Sequence, residues 1–440
     1  MTARNRELFG LIPASLLVTA GFAAVFIQRS NALSNISLTY GAIFLGLCLA
    51  GHMVIRATLP YADPYMFPLV ALLSCLGIVM IYRIDPTYAR QQAQWFVLGL
   101  ILFAATIVGF RDYRKLERYR YTIAVVSLGL LLLPRLPGIG DQVNGAYLAV
   151  HIPGVFEFQP TEFAKIGFVI FLASYLRDTR QVLVLGARRI LGVTIPPIKH
   201  FGPVIVIWGL AMLILFTLHD VGSSLMFYGA LLAILYVATS RLSFVVVGVI
   251  AFGLGAWYIG AHVPHIDARV QEWLHPLNPA LYNGTDPSGA SSFQLANSLF
   301  AQAAGGMFGQ GFGQATLTVP GSHPVAYLLP APSTDMIYAV ITDELGLFGA
   351  AAVLIAYLML IARGFKTAVL ARDSFSTLLA VGLSSVLALQ VFVIVGGVTR
   401  VIPLTGVTLP FISYGGSSII ANLVLLALLL LVSDRARRPA

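Results

Sequence analysis

Glu162 and Lys165 stand three residues apart in an otherwise apolar run, directly after Pro160. Proline suits the first turn of a helix, and side chains at i and i+3 share a face and can pair. Ionisable groups inside an apolar segment are costly. Two readings stand: a structural ion pair, or a polar patch that lines a substrate cavity. Asp343 and Glu344 interrupt a second apolar run. Adjacent helical positions point about 100° apart, so these carboxylates need different partners and suit a paired acid and base poorly. Lys165 or Arg400 is the expected buried partner. His219-Asp220 is a histidine–carboxylate pair, but Asp220 equally suits an N-cap for the helix that follows. Thr285-Asp286-Pro287-Ser288-Gly289 has the spacing of a type I turn led by Asp286. Beside the plain turn stands a second reading, a carboxylate free to act as a base.

Other chemistry is excluded by spacing. Gly305, Gly306, Gly309, Gly311 and Gly313 make a glycine-rich stretch. No Lys-Ser/Thr follows and no strand–helix context surrounds it, so it is not a nucleotide loop. It reads as a tight loop close to a helix or to lipid. The histidines show no metal-ligand spacing. Cys48 and Cys75 both lie in apolar runs and read as packing residues rather than a disulfide, metal site or nucleophile.

The elements that must position these residues are membrane helices. Of 440 residues 58% are hydrophobic and 10% charged, against about a quarter charged in soluble domains. A spanning helix needs about 20 mainly apolar residues. Twelve segments qualify: 9–28, 36–55, 65–82, 92–110, 121–134, 161–176, 201–218, 222–239, 242–260, 336–362, 375–397 and 411–433. The N-terminus mimics a signal peptide but reads as a retained first span, since no small-residue cleavage site follows. The net charge of +9 fits basic residues that fix topology, not nucleic-acid binding. With both termini cytoplasmic, Arg111, Arg114, Lys115, Arg118, Arg120, Arg177, Arg180, Arg188, Arg189, Lys199, Arg363, Lys366, Arg372, Arg435, Arg437 and Arg438 all fall inside, while the long segment 261–335 has one basic residue, Arg269. That segment is too polar to span, and its Pro, Gly, Asn, Ser and Thr clusters predict turns and short helices. Trp273, Tyr282, Phe293 and Tyr327 suit the lipid headgroup level. Loop 135–160 is a second, smaller outside element. The fold class is therefore all-α, a polytopic protein of about twelve transmembrane helices.

Three stretches carry a resemblance. Gln159-Pro160-Thr161-Glu162-Phe163-Ala164-Lys165 resembles the Gln-Pro-Ser-Glu-Phe-x-Lys element of the RodA/FtsW/SpoVE (SEDS) family. Asp286-Pro287, Gly289, Gln294, Leu329-Pro330, Thr334-Asp335 and Glu344-Leu345-Gly346 are similar to the family's large external loop and the helix after it. Pro403-x-Thr405-Gly406-x-x-Leu409-Pro410-Phe411-x-Ser413-Tyr414-Gly415-Gly416-Ser417-Ser418 resembles its signature almost completely. His219-Asp220-x-Gly222-Ser223-Ser224 looks like the family element before a middle helix. Departures are Tyr147-Leu148 where the family has Arg-Trp, Ala331-Pro332-Ser333 where it has Glu-x-His, and Asp343 for the first acid of a Glu-Glu pair.

The resemblance covers residues 65–433 and implies a ten-helix glycosyltransferase core over 63–440, its large external loop at 261–335, with two extra N-terminal helices in 1–62. It implies a peptidoglycan glycosyltransferase in the bacterial cytoplasmic membrane that polymerises lipid II into a growing glycan strand and releases undecaprenyl diphosphate. It assigns the catalytic role to Asp286 and implies substrate contacts at Glu162, Lys165, Thr334, Asp335, Glu344, Arg400, Ser413, Gly415 and Gly416. A leaving diphosphate needs positive charge or a metal; Lys165 and Arg400, with Arg83 as a weaker candidate, are the protein groups for it. A divalent cation is the alternative to them, although the sequence shows no dedicated cage for one. Membrane lipids surround the chain, and a class B penicillin-binding protein is the implied transpeptidase partner. The competing functions are a lipid II flippase, which has no obvious need of an outside base, and a scaffold for that partner.

Overall fold

The computed structural model describes residues 2–30, 35–136, 138, 140–143, 146–152, 156–185, 188–190, 193–195, 198–286, 291–317 and 328–439. Each expected span is helical: α1 Ala3–Ser30, α2 Asn35–Thr58, α3 Met66–Ile84, α4 Pro86–Gly109, α6 Arg120–Leu132, α7 Pro160–Leu185, α8 Ile198–Leu218, α9 Val221–Thr239, α10 Leu242–His262, α14 Ile337–Leu370, α15 Ser374–Val398 and α16 Gly416–Arg437. Among the described residues four short α-helices join them: α5 Lys115–Arg118, α11 Pro264–Leu274, α12 Pro279–Tyr282 and α13 Phe293–Gly305. Among the described residues eight helices, α1–α4, α9 and α14–α16, are long and apolar enough to cross a membrane, and α8 and α10 carry shorter apolar stretches. Val125, Leu213, Leu254 and Leu358 are each more than half exposed, which suits lipid and not water. The chain is a multi-pass helical membrane protein.

Two small antiparallel ribbons depart from a purely helical chain. β1 Gly140–Val143, β2 Ala146–Ile152 and β3 Phe156–Phe158 form a sheet between α6 and α7, and β4 Arg188–Ile190 pairs with β5 Val193–Ile195 between α7 and α8. Both lie in connections outside the apolar runs, where strand pairing satisfies backbone groups that no helix takes up.

Of those eight helices α3, α15 and α16 are the most enclosed, and in α7 every residue from 160 to 176 except Phe163 is buried as well. A helix that is apolar all round belongs in the interior, and α15 and α16 read that way. α16 packs along α4, α14 along α15, and α1 along both α2 and α3. The N-terminal pair is further held by polar contacts at one face of the bundle. Arg4 pairs with Glu7 and donates to the Ala62 carbonyl, and His52 Nδ1 lies 2.9 Å from Glu7 Oε1. Beside them Arg437 Nη2 bonds Asp63 Oδ2 at 2.8 Å, and Tyr61 N donates to Asp434 Oδ1 at 2.9 Å.

α14 breaks at Gly346, whose φ is 67° and ψ −171°. The glycine-rich stretch heals the break. Gln310 N and Gly311 N donate to the carbonyls of Asp343 and Glu344, while Leu347 N and Phe348 N donate to those of Gly306 and Met307. The expected tight loop close to a helix is thus this cross-brace. A Cβ on Gly346 would lie 2.3 Å from Gly309 N and 2.5 Å from the Met307 carbonyl, in a backbone region that only glycine adopts readily. Gly346→Ala is expected to destabilise the fold by about 3 kcal/mol or more, read as a lowered thermal midpoint in detergent. An unchanged midpoint would mean that the cross-brace contributes little.

Candidate active site

Residues 403–415 of the signature segment are irregular backbone between α15 and α16, and 416–418 are the first turn of α16. Such backbone is tolerated at membrane depth only when protein groups satisfy it, and here polar side chains from several helices do so. Tyr357 Oη donates to the Pro410 carbonyl. Gln390 Nε2 donates to the Thr408 carbonyl at 3.1 Å, and Gln92 Nε2 to that of Ser413 at 3.1 Å. Gln92 Oε1 accepts from Gly415 N at 3.1 Å. Ser413 is buried; its Oγ accepts from Leu409 N at 2.8 Å and donates to the Thr334 carbonyl at 2.7 Å. Tyr414 N donates to the Ser333 carbonyl at 2.8 Å. Ser413, Thr334 and Gly415 are therefore joints of one interlocked loop pair, 331–336 against 403–416. Gly416 begins α16 directly against the Trp95 ring, which a Cβ would meet at 2.5 Å.

Beneath this segment lies a buried polar chain. Lys165 Nζ donates to Glu162 Oε2 at 2.5 Å, Gln390 Oε1 at 2.8 Å and Asn422 Oδ1 at 3.2 Å. Asn422 Nδ2 donates to Ser418 Oγ at 3.2 Å, and Thr408 Oγ1 lies 2.8 Å from the same hydroxyl. An ammonium has three N–H bonds, and all three are used. In this conformation Lys165 acts on the signature segment through its charge and the groups it orients, not through a spare donor. Gln390 and Asn422 were not singled out from sequence, although polar residues within spans 375–397 and 411–433 are the available signal.

The other ionisable residues fall elsewhere. Glu344 is fully buried; Arg83 Nε lies 3.1 Å from its Oε1, and Gly313 N donates to its Oε2 at 3.0 Å. Asp343 accepts from Gln310 Nε2 at 2.9 Å. The two acids do have separate partners, but the cation is Arg83, not Lys165 or Arg400. Arg400 sits on the α11 side of the bundle. Its Nε and Nη2 donate to the carbonyls of Trp273 and Leu274 at 2.9 and 2.8 Å, and its own carbonyl accepts from Trp273 Nε1 at 3.1 Å. It clamps the end of α11. Trp273 and the mutually tilted Tyr282 and Phe293 rings, with centroids 5.3 Å apart, thus pack within this layer, and Tyr327 lies outside the described residues.

The α11–α13 layer covers the signature segment from one side. Arg269 on α11 donates to the Leu404 carbonyl at 3.3 Å and is in electrostatic reach of Asp220, Glu272 and Asp335. Asp220 caps α9, accepting from Ser223 N at 2.9 Å, so the cap reading of His219-Asp220 holds. Its second oxygen is buried without a hydrogen-bond partner among the described residues. Asp220 also feels Glu162, which links this layer to the Lys165 chain. Arg269 was read from sequence only as the lone basic residue of its segment; that isolation was the signal. Asp286 follows α12 on the same layer and is half-buried, with Thr285 N bonded to the Ala280 carbonyl at 2.9 Å. Residues 287–290 of its turn lie outside the described residues. Downstream, Ser291 N donates to Glu272 Oε1 at 3.0 Å, which ties the loop to α11. Among the described residues no group of three or more His, Cys, Asp or Glu is placed to hold a metal ion.

Burial pushes the Asp335 carboxyl up to about 6 against an ordinary 3.8, with Arg269 opposing. Between those values the folded chain binds more protons than the unfolded one, so this group makes stability fall as pH rises, up to about 6. Asp335→Asn is expected to flatten the thermal midpoint between pH 4 and 6, and a slope identical to the parent's would place the titration elsewhere.

Fold and site together define a polytopic membrane protein with an irregular, polar-threaded segment before its last helix and a layer of short helices over it. Residues 62–438 match the FtsW/RodA/SpoVE family of cell cycle proteins, and the chain belongs to that family. It is 40% identical over 453 residues to the peptidoglycan glycosyltransferase RodA of Mycobacterium tuberculosis, covering all of this chain and 92% of that one. It is 31% identical over 395 residues to stage V sporulation protein E of Bacillus subtilis, covering 88% of this chain and all of that one. Among solved structures it resembles a chain from a peptidoglycan synthase complex that coordinates polymerization and crosslinking, with 26% identity, TM-score 0.66, and coverage of 86% of this chain and 99% of that one. A mutant of the rod shape determining protein RodA of Thermus thermophilus is similar at 25% identity and TM-score 0.60, with the same coverage. The family match leaves α1 and α2 outside it, whereas the mycobacterial alignment includes them.

Proposed function

We propose that this chain is a peptidoglycan glycosyltransferase that polymerises lipid II at the outer face of the bacterial cytoplasmic membrane. The observation that carries this is the full-length similarity to RodA proteins bearing that activity in their names. Both termini are cytoplasmic, which places the face rich in arginine inside and the α11–α13 layer with Asp286 outside, where the muropeptide is displayed. Helices α1 and α2 are an addition to a glycosyltransferase core that begins near residue 63.

In the reaction the 4-hydroxyl of the acceptor's N-acetylglucosamine attacks C1 of the donor's muramic sugar from the face opposite the leaving group. The C1–O bond to undecaprenyl diphosphate breaks as the new C1–O bond forms, and the anomeric centre inverts. The hydroxyl proton passes to the Asp286 carboxylate, since a sugar hydroxyl is a weak nucleophile without a positioned base. The diphosphate leaves with the bonding electron pair and needs positive charge. Arg269, half-buried among Asp220, Asp335 and the Leu404 carbonyl, is the group placed to supply it. Lys165 and Glu162 support the signature segment from below, with Thr334, Ser413, Gly415 and Gly416 shaping the loop pair. Glu344 and Arg400 fix α14 and α11. A class B penicillin-binding protein crosslinks the product strand.

The test is polymerisation of purified lipid II in detergent by this chain with its cognate transpeptidase bound. Glycan strands supports the proposal. Their absence with the partner bound, alongside lipid II transfer across vesicles, would make the chain a flippase; absence of both would make it a scaffold.

A further inference from the structure

A cavity of about 570 Å³ opens on the arginine-rich face, between the α4–α6 connection, the α14–α15 turn and the end of α16. Arg111, Arg114, Arg372, Arg435 and Arg438 line it against two carboxylates, Asp112 and Asp373. Both carboxylates are engaged. Arg114 Nη2 lies 2.8 Å from Asp373 Oδ2, and Arg435 Nη1 lies 3.4 Å from Asp112 Oδ1. Asp373 also caps α15 through Ser376 N at 3.0 Å, and Arg438 pairs with Asp434 at 2.8 Å. Arg372 gives one nitrogen to the Arg438 carbonyl. Neither Arg372 nor Arg111 has a carboxylate partner among the described residues.

Arginines that only fix topology need no concave wall. These converge over a closed floor: Tyr113 and Val432 are fully buried, Tyr113 Oη is 2.6 Å from Ser376 Oγ, and the Arg435 guanidinium lies 5.9 Å from the Tyr113 ring centroid. Five arginines against two carboxylates leave the lining with an excess of positive charge; such a cavity with low-dielectric walls concentrates anions, and guanidinium groups match phosphate bidentately. We infer that this cavity binds the phosphate headgroup of an anionic phospholipid. Its rim is made by the ends of three spanning helices, α4, α14 and α16, which is headgroup depth. Next to the two unpaired arginines stand Phe110, Val369 and Leu370, all exposed, where acyl chains would run. Basic pockets between membrane helices bind such headgroups. Bound phosphate relieves repulsion among the arginines and fastens the end of α16 to the α14–α15 turn. The inference needs only that these helix ends lie at the bilayer surface, and stands whatever reaction the other face performs.

The test uses the full chain in detergent, read by native mass spectrometry and thermal melting, with phosphatidylglycerol, phosphatidylcholine or inorganic phosphate added. Phosphatidylglycerol is expected to stay bound and raise the midpoint, and the other two to do neither. Arg111→Gln with Arg372→Gln is expected to weaken phosphatidylglycerol binding about twentyfold, and Arg111→Gln alone about fivefold. Arg180→Gln with Arg241→Gln removes the same charge elsewhere on that face and is expected to change little. The inference falls if the cavity variants bind as the parent does, if the control pair weakens binding equally, or if phosphatidylcholine binds as well. Inorganic phosphate matching the lipid would make this a soluble-anion site and overturn the lipid assignment.

Discussion

Asp286→Ala is expected to lower glycan polymerisation about 10²–10⁴-fold, the range a positioned general base contributes, while the chain stays folded. Asp286 is half-buried at the end of a short loop, and several other groups hold the neighbouring backbone. Asn278 caps α12 through Ala280 N at 3.0 Å, and Ser292 Oγ bonds the Pro276 carbonyl at 2.7 Å. Thermal midpoints of parent and variant are therefore expected to agree closely. Asp286→Asn keeps the shape but cannot take a proton, so it should be as inactive as alanine. Asp286→Glu keeps the base but displaces it by about an ångström, a misplacement that can cost about 10²-fold. The order parent, Glu, then Asn and Ala together separates a base from a residue that only shapes the loop. An Asn variant that polymerises at the parental rate would remove Asp286 from proton transfer.

The helices were legible because in a membrane protein length and apolarity suffice to locate them. Pro160 marked the start of α7 and Asp220 the cap of α9 for local reasons, and the structure keeps both. The glycine-rich stretch was legible as a tight loop; its counterpart was not, because bracing a break at Gly346 is a contact between segments some forty residues apart. Partners of buried charges were the least legible. Glu344 has Arg83 because α3 and α14 are neighbours, a fact that periodicity along either helix does not contain. Arg400 looked available for a diphosphate, yet its positive φ of 63° turns it towards the end of α11, where bare helix carbonyls attract a guanidinium. The two ribbons lie in connections whose pairing is set by register with each other and left no apolar alternation long enough to read.

The Glu162–Lys165 pair decides whether the buried polar chain is structure or chemistry. Both residues are at least 95% buried, and removing one partner of such a pair leaves an unpaired charge at a cost of about 3–5 kcal/mol. Glu162→Gln and Lys165→Met are each expected to lower the thermal midpoint sharply in detergent. The double variant buries no charge, and Gln390, Asn422 and Ser418 can still bond one another and the Thr408 carbonyl. It is expected to recover most of the lost stability, giving a large coupling energy in the cycle. Its polymerisation is nevertheless expected to stay about 10²–10³-fold below the parent, the typical loss when one preorganised electrostatic group is removed from a site. The reason is position: Lys165 charges the underside of the segment whose upper side meets Arg269, and Glu162 lies within electrostatic reach of Asp220, which Arg269 also faces. Without that pair the segment can fold but presents an altered field to a departing diphosphate. A stable double variant with parental activity would assign the pair to holding α7, α15 and α16 together and nothing more.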